Sequence, residues 1–262
     1  MNILFLGDIV GRPGRLAIHD VLPDVIEQED IHFVIANAEN IAGGSGVTAN
    51  IFKKLLSYGV DFVTTGDHVW RRRDEITPVL QESSRIIRPA NYPASAAGRG
   101  WSVVEAKNGV SVGVVQLIGR VFMQPAQCPF VLGQEIVEEI RSETPVIIVD
   151  MHAEATSEKI AMGWHLDGKV SAVLGTHTHI PTADERILPG GTAYITDVGM
   201  TGPYDSVIGR EKVPVLKKFI TGMPYPFDVA KNDVNFCGAV VAVDTGTGRA
   251  TAIKRIRVPH SP

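Results

Sequence analysis

The chain has 262 residues, of which 44% are hydrophobic and 21% are charged. This composition is typical of a soluble globular protein with a substantial core, and no apolar run reaches the roughly eighteen residues of a membrane span, so we expect no membrane partner. The formal net charge of −4 excludes the broadly basic face that duplex nucleic acid requires, so we expect no duplex partner either.

The amino-terminal segment and the cysteines indicate a cytoplasmic protein. The segment MNILFLGDIVGRPG lacks the basic region and the small-residue cleavage site of a signal peptide, and its apolar run is short. Cys128 and Cys237 lie far apart and outside any paired-cysteine spacing. We therefore expect two buried thiols, with neither a disulfide nor a cysteine-bound zinc.

Short apolar, β-branched runs alternate with amphipathic stretches along the chain. The runs cover residues 3–6, 31–36, 60–65, 146–149, 170–174 and 193–196. In the stretches between them, such as GRLAIHDVLPDVIEQE and NIFKKLLSYG, apolar residues recur at intervals of three and four. This alternation predicts βαβ units and a largely parallel sheet. Pro23 is expected to kink or interrupt the first helix.

Two later segments predict antiparallel strand pairs. Alternating runs flank Asn108-Gly109, the dipeptide favoured in two-residue hairpins, and two β-rich runs flank DTGTGR near the carboxyl terminus. Residues 84–100, 119–132 and 197–210 are rich in Gly and Pro, which favours surface loops, some of them covering a site. Since no linker or repeat is evident, we predict a single domain over residues 1–262.

Polar side chains follow the predicted strands, at the edge where open α/β sheets bind their ligands. In chain order they are Asp8, Asn37, Glu39, Asn40, Asp67, His68, Asp150, His152, His177, His179 and Asp197. Any one of them alone is well explained as a helix cap or a hydrogen-bonded structural residue. Gathered at one edge, however, the carboxylates would repel and raise one another's pKa, and a cation removes that conflict. The sequence therefore predicts a metal site.

The mixture of donors indicates which metal. Imidazole together with carboxylate suits manganese, iron, zinc or cobalt, and the lack of cysteine argues against a structural zinc. The donors exceed what one catalytic ion with an open position needs, whereas two ions about 3.5 to 4 Å apart would use them all. Such a pair fits the hydrolysis of phosphate esters.

Other known motifs match poorly. The glycines of GDIVGRPG do not follow the GxGxxG spacing of a dinucleotide site, and NIAGGSGVT lacks the ending of a P-loop, so we expect a turn leading to a helix capped by Thr48. HExxH is absent, and on an extended segment the histidines of GTHTHIP would point to one side.

WRRRDE is expected to be a solvated helix start or loop. The remaining histidines, His19, His32, His165 and His260, are expected to be structural or exposed.

Five sequence blocks resemble the calcineurin-like metallophosphoesterases, specifically a bacterial family that acts on 2′,3′-cyclic nucleotides. The blocks are MNILFLGDIVGRPGR, NAENIAGG, TTGDHVW, VDMHAEATSEK and GTHTHIPTADERILPGGTAYITDVGMTG. They occur in the family's order and cover nearly the full length. The resemblance implies an αββα sandwich with a mostly parallel central sheet, antiparallel additions and a dinuclear metal site.

The resemblance also implies the ligands. One ion is expected at Asp8, Glu39, Asn40 and His179, and the other at Glu39, Asp67, His152 and His177, with Glu39 bridging. His68 is expected to donate the proton. The family suggests iron or manganese, with zinc as a further option.

Two positions depart from the wider pattern. Val10 stands where the superfamily usually has a histidine, a departure that the narrower family shares while using Glu39-Asn40 instead. Asp67 stands where the third block normally has asparagine, which adds a negative charge. We expect this charge to tighten cation binding and to make the ions poorer Lewis acids, so that the pKa of the water bridging them rises.

The expected activity is that of a metal-dependent phosphodiesterase acting on 2′,3′-cyclic nucleotides. A hydroxide bridging the ions would attack phosphorus, His68 would protonate the leaving oxygen, and Arg12 or Arg15 would offset phosphoryl charge. Two alternatives remain open: a metal-dependent module that binds a nucleotide or RNA end with little turnover, and a phosphomonoesterase on the same site. The partner in each case is a small nucleotide or phosphodiester, and the β-rich termini permit a homo-oligomer.

Overall fold

The computed structural model describes residues 1–260, in which helices and strands alternate along most of the chain. The strands are β1 (Asn2–Leu6), β2 (Asp8–Ile9), β3 (Ile31–Asn37), β4 (Phe62–Thr64), β5 (Trp101–Glu105), β6 (Ser111–Ile118), β7 (Ile147–His152), β8 (Ala172–Thr176), β9 (Arg186–Ile187), β10 (Ala193–Ile195), β11 (Met200–Pro203), β12 (Val234–Val243) and β13 (Ala250–His260). The helices are α1 (Gly11–Gln28), α2 (Ala49–Ser57), α3 (Arg73–Glu82), α4 (Pro129–Ile140), α5 (Thr156–His165) and α6 (Lys212–Thr221), and a 3-10 turn covers Val69–Arg72.

The strands form two mixed sheets. The first has the order β2-β11-β12-β1-β3-β4, with β13 also paired to β12, and the second has the order β5-β6-β7-β8-β10-β9. Strands β1, β3 and β4 are parallel, as are β6, β7, β8 and β10. The pairs β5-β6 and β12-β13 are the two predicted antiparallel hairpins. Each apolar run predicted as a strand overlaps one of these strands.

Alternation along the strands divides the apolar side chains into three layers. On β1, Ile3 and Phe5 belong to the cluster between the sheets, whereas Leu4 and Leu6 belong to the cluster under α1, α2 and α3. A third cluster packs the second sheet against α4 and α5. Because successive side chains of a strand point to opposite faces, each parallel strand is covered on both sides. These layers confirm the predicted αββα sandwich.

Local signals account for the start and the continuity of two helices. The Thr48 side chain accepts a hydrogen bond from the Ile51 amide at 3.2 Å, which confirms the predicted cap of α2. Helix α1 continues through Pro23, so of the two predicted effects the interruption does not occur and the kink stays a prediction. The proline removes one backbone hydrogen bond, while buried Leu22 and Val25 hold the helix on the sheet.

Two of the predicted loops contain regular structure. Strand β11 lies within residues 197–210 and pairs with β2 and β12, and α4 begins at Pro129, inside residues 119–132. Pro129 occupies the first helical turn, where its missing amide hydrogen is not needed, so proline there starts a helix rather than excluding one. Residues 84–100 contain no helix or named strand, as predicted, but residues 86–89 are buried, so this stretch is not a surface loop throughout.

Both cysteines are free thiols. Cys237 is buried, whereas Cys128 is partly exposed, so the prediction of two buried thiols is correct for Cys237 only. In the described part of the chain, no helix has the length and apolar character needed to cross a membrane.

The layer between the sheets can be tested at Phe62. This side chain is fully buried, and its ring lies 6.5 Å from that of Phe33. Phe62→Ala is expected to lower the free energy of unfolding by about 3 to 5 kcal/mol, because a cavity replaces a well-packed ring. Phe219→Ala, at a position 79% exposed, is the control and should change it by less than about 0.5 kcal/mol. Urea unfolding measures both, and a loss below about 1 kcal/mol for Phe62→Ala would contradict the assigned layer.

Candidate metal centre

The predicted site residues meet where the carboxyl ends of the parallel strands of both sheets come together. The connections after β1, β3 and β4 of the first sheet carry Asp8, Glu39, Asn40, Asp67 and His68, and β7 and β8 of the second sheet lead to His152, His177 and His179. One sheet thus supplies the carboxylates, and the other supplies the three imidazoles at the centre. The centre therefore exists only because the two sheets pack against each other.

Four of these side chains form a first cluster: Glu39, Asp67, His152 and His177 each offer a ligand atom, all within 4.8 Å of one another. The Nε2 atom of His152 is 3.2 Å from a carboxylate oxygen of Glu39 and 3.2 Å from one of Asp67. The Nδ1 atom of His177 is 3.4 Å from Asp67 Oδ1. Two imidazole nitrogens and two carboxylates are a donor set suited to a divalent transition metal.

A second cluster shares one member with the first. Asp8, Glu39 and His179 offer ligand atoms within the same 4.8 Å limit, so Glu39 belongs to both groups, as a bridging ligand would. Asp8 is completely buried, and among the described residues its Oδ1 atom has no hydrogen-bond partner. A buried carboxylate oxygen without a donor is costly. A cation beside Asp8 would remove that cost, so the residues present fit a metal.

Asn40 lies between the second cluster and His68. Its amide nitrogen donates to Glu39 at 2.8 Å and lies 3.2 Å from His179 Nε2, while its Oδ1 atom lies 2.9 Å from His68 Nδ1. A metal ligand would have to present its oxygen, which requires a half-turn of the amide group. Coordination by Asn40 therefore stays a prediction.

Gly66 has no side chain, and members of the first cluster occupy the space where one would lie. A Cβ atom at this position would overlap the carboxylate of Glu39 and the ring of His152. Its backbone φ is not in the left-handed region. The glycine of the GDH block is therefore required by the close approach of the ligands and not by the conformation of the turn.

The two histidines of the GTHTH block lie at a bend of the backbone after β8, here called the histidine turn, and not in the extended segment that the sequence suggested. The φ angles are +89° at His177 and +65° at His179, a region that costs energy for residues with a Cβ atom. The turn sends His177 to the first cluster and His179 to the second. An extended segment would have placed both rings on one side, so tertiary contacts overrode the local pattern.

The buried carboxylates of the two clusters favour a cation between them. Burial raises the pKa of the Asp8 carboxyl group. Burial acts in the same direction on Glu39, but the neighbouring His152 outweighs it and lowers the pKa of that carboxyl group. Burial alone would lower the pKa of His152, yet Glu39, Asp67 and Asp8 raise it well above its ordinary value. A positive charge among these carboxylates is stabilised, whether a proton on His152 or a metal ion supplies it.

His68 sits at the rim of the centre. Its backbone amide donates to Glu39 at 3.2 Å, its Nδ1 atom lies 2.9 Å from Asn40 Oδ1, and its side chain is 26% exposed. The Nε2 atom is 3.8 Å from Asp67 and makes no hydrogen bond to a described residue. One ring nitrogen is thus oriented while the other is available, which is what a proton donor requires.

Asp150, one of the candidates at the strand ends, belongs to neither donor cluster and instead supports the centre from beneath. Its carboxylate accepts hydrogen bonds from Thr64 at 2.6 Å and from Gln116 at 3.0 Å. It also accepts one from Thr176 at 2.6 Å, and the Thr176 hydroxyl is 2.8 Å from His152 Nδ1. Burial raises the pKa of Asp150 to about 6. These linked hydrogen bonds orient the His152 ring so that its Nε2 atom faces the first cluster.

A cavity of about 330 Å³ opens over the two clusters. Arg210 is the arginine among the residues that line it. Arg15 instead donates to the Ile41 carbonyl at 2.6 Å, and Arg12 lines a different cavity of about 860 Å³. The structure therefore favours Arg210 in the role predicted for Arg12 or Arg15. Arg210 lies at the end of residues 197–210, which were expected to cover a site.

The other predicted features lie outside the centre. The remaining histidines each make a hydrogen bond elsewhere: His19, His32, His165 and His260. The WRRRDE segment forms the 3-10 turn and the start of α3, and its arginines are exposed, as predicted.

Comparisons with known proteins identify the family to which the chain belongs. Residues 4–256 match a family model described as YmdB-like protein. A 2′,3′-cyclic-nucleotide 2′-phosphodiesterase of Bacillus subtilis strain 168 is 45% identical over 258 residues, which covers 98% of this chain and 97% of the relative.

Two crystal structures share the fold over almost the whole length. A hypothetical protein from Thermus thermophilus superposes with a TM-score of 0.93 and 41% identity, and covers 100% of both chains. A Mycoplasma pneumoniae protein described as a novel phosphatase superposes with a TM-score of 0.92 and 34% identity, over 99% of this chain and 93% of that one. The chain therefore belongs to the YmdB-like protein family and has the fold of the calcineurin-like metallophosphoesterases.

Proposed function

We propose that the protein is a cytoplasmic, dinuclear metal-dependent phosphodiesterase that hydrolyses 2′,3′-cyclic nucleotides, with one catalytic domain over residues 1–262. The observation that carries the proposal is the pair of donor clusters that share Glu39, with an unpartnered buried oxygen of Asp8 in one of them. The name of the Bacillus subtilis relative supports the choice of substrate. A small nucleotide fits the cavity of about 330 Å³ above the clusters.

Two divalent ions, iron or manganese with zinc as a further option, suit this donor set. Asp8, Glu39 and His179 would hold one of them, with Asn40 as the predicted further ligand, and Glu39, Asp67, His152 and His177 would hold the other. When bound, such ions polarise phosphoryl oxygens and lower the pKa of water towards neutrality, which provides a nucleophile.

We propose that Arg210, which lines the cavity, orients the phosphate and offsets its charge. Its guanidinium donates to the carbonyl of Phe227 at 3.1 Å and to that of Gly44. These two bonds hold the group on the cavity wall, so its charge is positioned before the substrate binds. A planar guanidinium suits the geometry of a phosphodiester.

We propose that His68 protonates the leaving ribose oxygen. Its Nδ1 atom lies 2.9 Å from Asn40 Oδ1, a contact that a half-turn of the Asn40 amide towards a metal would change, and its Nε2 atom makes no hydrogen bond to a described residue. Neither nitrogen belongs to the two donor clusters. The proton donor is therefore next to the metal ligands without being one of them.

The proposed function is tested by metal analysis and turnover of protein purified without chelator. We expect two equivalents of transition metal per chain and, with added Mn²⁺, hydrolysis of 2′,3′-cyclic AMP in preference to an aryl phosphomonoester. Faster hydrolysis of the monoester would support a phosphatase instead. Binding of metal and nucleotide without turnover would support a regulatory module, and a chain without metal would contradict the dinuclear centre.

His68→Ala is expected to reduce kcat for 2′,3′-cyclic AMP by roughly 10² to 10⁴-fold, because the leaving oxygen loses its proton donor. Both metal ions should remain bound, as measured by elemental analysis of the same preparation. His19→Ala is the matched control, since His19 is hydrogen-bonded to Asp20 outside the clusters, and it should leave kcat unchanged. Loss of metal together with activity would make His68 a ligand.

Asp67→Asn tests the effect of the additional carboxylate. The variant keeps an oxygen donor but removes one negative charge from the first cluster, so Mn²⁺ affinity should fall about tenfold. The ions should also become stronger Lewis acids, which moves the rising limb of the pH-rate profile to lower pH. Calorimetric titration with Mn²⁺ and kcat measured against pH give the two results. Unchanged affinity with an unchanged or higher apparent pKa would contradict the assignment.

A further inference from the structure

Lys159 and Asp197 form a buried ion pair behind the metal centre that the proposed reaction does not use. Both side chains are 0% exposed, and the Lys159 Nζ atom is 2.9 Å from an oxygen of Asp197. Removing two charges from water is costly, and apolar residues of the same size often stabilise a fold as well or better. Stability alone is therefore a weak explanation for this pair.

The pair is directed at Thr178. One oxygen of Asp197 accepts from the backbone amide of Thr178 at 3.1 Å and from its hydroxyl at 2.5 Å. Lys159 donates to the same hydroxyl at 2.9 Å. The other oxygen of Asp197 accepts from the Gly199 amide at 2.7 Å. Thr178 is thus fixed through its backbone and its side chain by two charged groups that are themselves immobile.

Thr178 separates the two strained histidines. His177 and His179 have φ angles of +89° and +65°, and such angles persist only where the surroundings impose them. The two rings belong to different clusters, so the conformation of one three-residue turn sets a ligand of each metal.

The neighbouring backbone leaves room for the lysine. A Cβ atom at Gly175 would lie 3.0 Å from the Lys159 Cδ atom and would also overlap the carbonyl of Thr196. The stem of Lys159 therefore crosses the end of β8 in close contact, just before the histidine turn begins.

We propose that Lys159 and Asp197 are positioning residues that hold the His177-Thr178-His179 turn in its metal-binding conformation. The proposal rests on the metal centre of the proposed function. Its particular consequence is that loss of the pair weakens both metal sites together, although neither residue is a ligand.

The test is calorimetric titration of the full chain with Mn²⁺. Lys159→Met keeps the length of the side chain but removes its charge, and should weaken both Mn²⁺ sites by at least about tenfold, as loss of a supporting partner does. With excess Mn²⁺, kcat for 2′,3′-cyclic AMP should largely recover and KM should stay unchanged, because the substrate contacts are intact. Lys254→Met removes an equal charge from an exposed pair with Glu29, and should leave both affinities unchanged.

Thr178→Val keeps the proposal testable if Lys159→Met does not fold. It is nearly isosteric, keeps the backbone bond to Asp197 and removes only the hydroxyl that both charged groups contact. We expect a severalfold weakening of both Mn²⁺ sites.

Two results would overturn the proposal: a lowered melting temperature with both affinities within twofold of the parent, or a weakening of one site alone. The first would make the pair merely structural, and the second would show that the turn does not couple the histidines. A parent chain that binds two Mn²⁺ ions without turnover would contradict the proposed function alone, since the affinities would still report the effect of the pair.

Discussion

The concentration of negative charge at the junction of the two sheets is the constraint on which this structure depends. Asp8 and Glu39 are buried, and Asp67 lies beside them in the first of two overlapping clusters. Carboxylates this close together are tolerated only when positive charge is placed among them. The imidazoles brought in by the second sheet meet that need when they are protonated or when they share a metal ion with the carboxylates, and the mixed donor set suits a metal ion. The missing side chain of Gly66 lets Glu39 and His152 approach closely enough to do so.

The apolar layer between the sheets sets the distance at which these donors meet. The carboxylates come from the first sheet and the three imidazoles of the clusters from the second, so a shift of one sheet across the other would separate the two halves of each cluster. Close-packed interiors resist such shifts, because each displaced side chain loses contacts or overlaps a neighbour. Packing at Phe5, Phe33 and Phe62, in the apolar layer between the sheets, is therefore part of what keeps the centre intact.

Two buried carboxylates repeat one arrangement beneath the centre. Asp150 contacts Thr176, whose hydroxyl meets His152, and Asp197 contacts Thr178, which lies between His177 and His179. In each case a carboxylate acts on a histidine through a threonine. Such indirect support fixes ring orientation without adding another charge to the ligands themselves. This difference separates the supporting carboxylates from Asp8, Glu39 and Asp67, which face the clusters directly.

The sequence by itself determined the strands of the β-branched runs, the hairpin at Asn108-Gly109 and the candidate donors, because β-branched runs and the residues that follow them are local signals. Tertiary structure alone decided that His177 and His179 separate, that Arg210 and not Arg12 or Arg15 lines the cavity, and that β11 forms inside a predicted loop. The contacts that support the centre could not be predicted from the sequence either. The hydrogen-bonded residues Thr64 and Asp150 are 86 positions apart in the sequence, and Lys159 and Asp197 are 38 apart. Periodicity specifies which face and which end of a strand a side chain occupies. Periodicity does not specify which distant residue that side chain contacts, since the contact depends on how the two sheets pack.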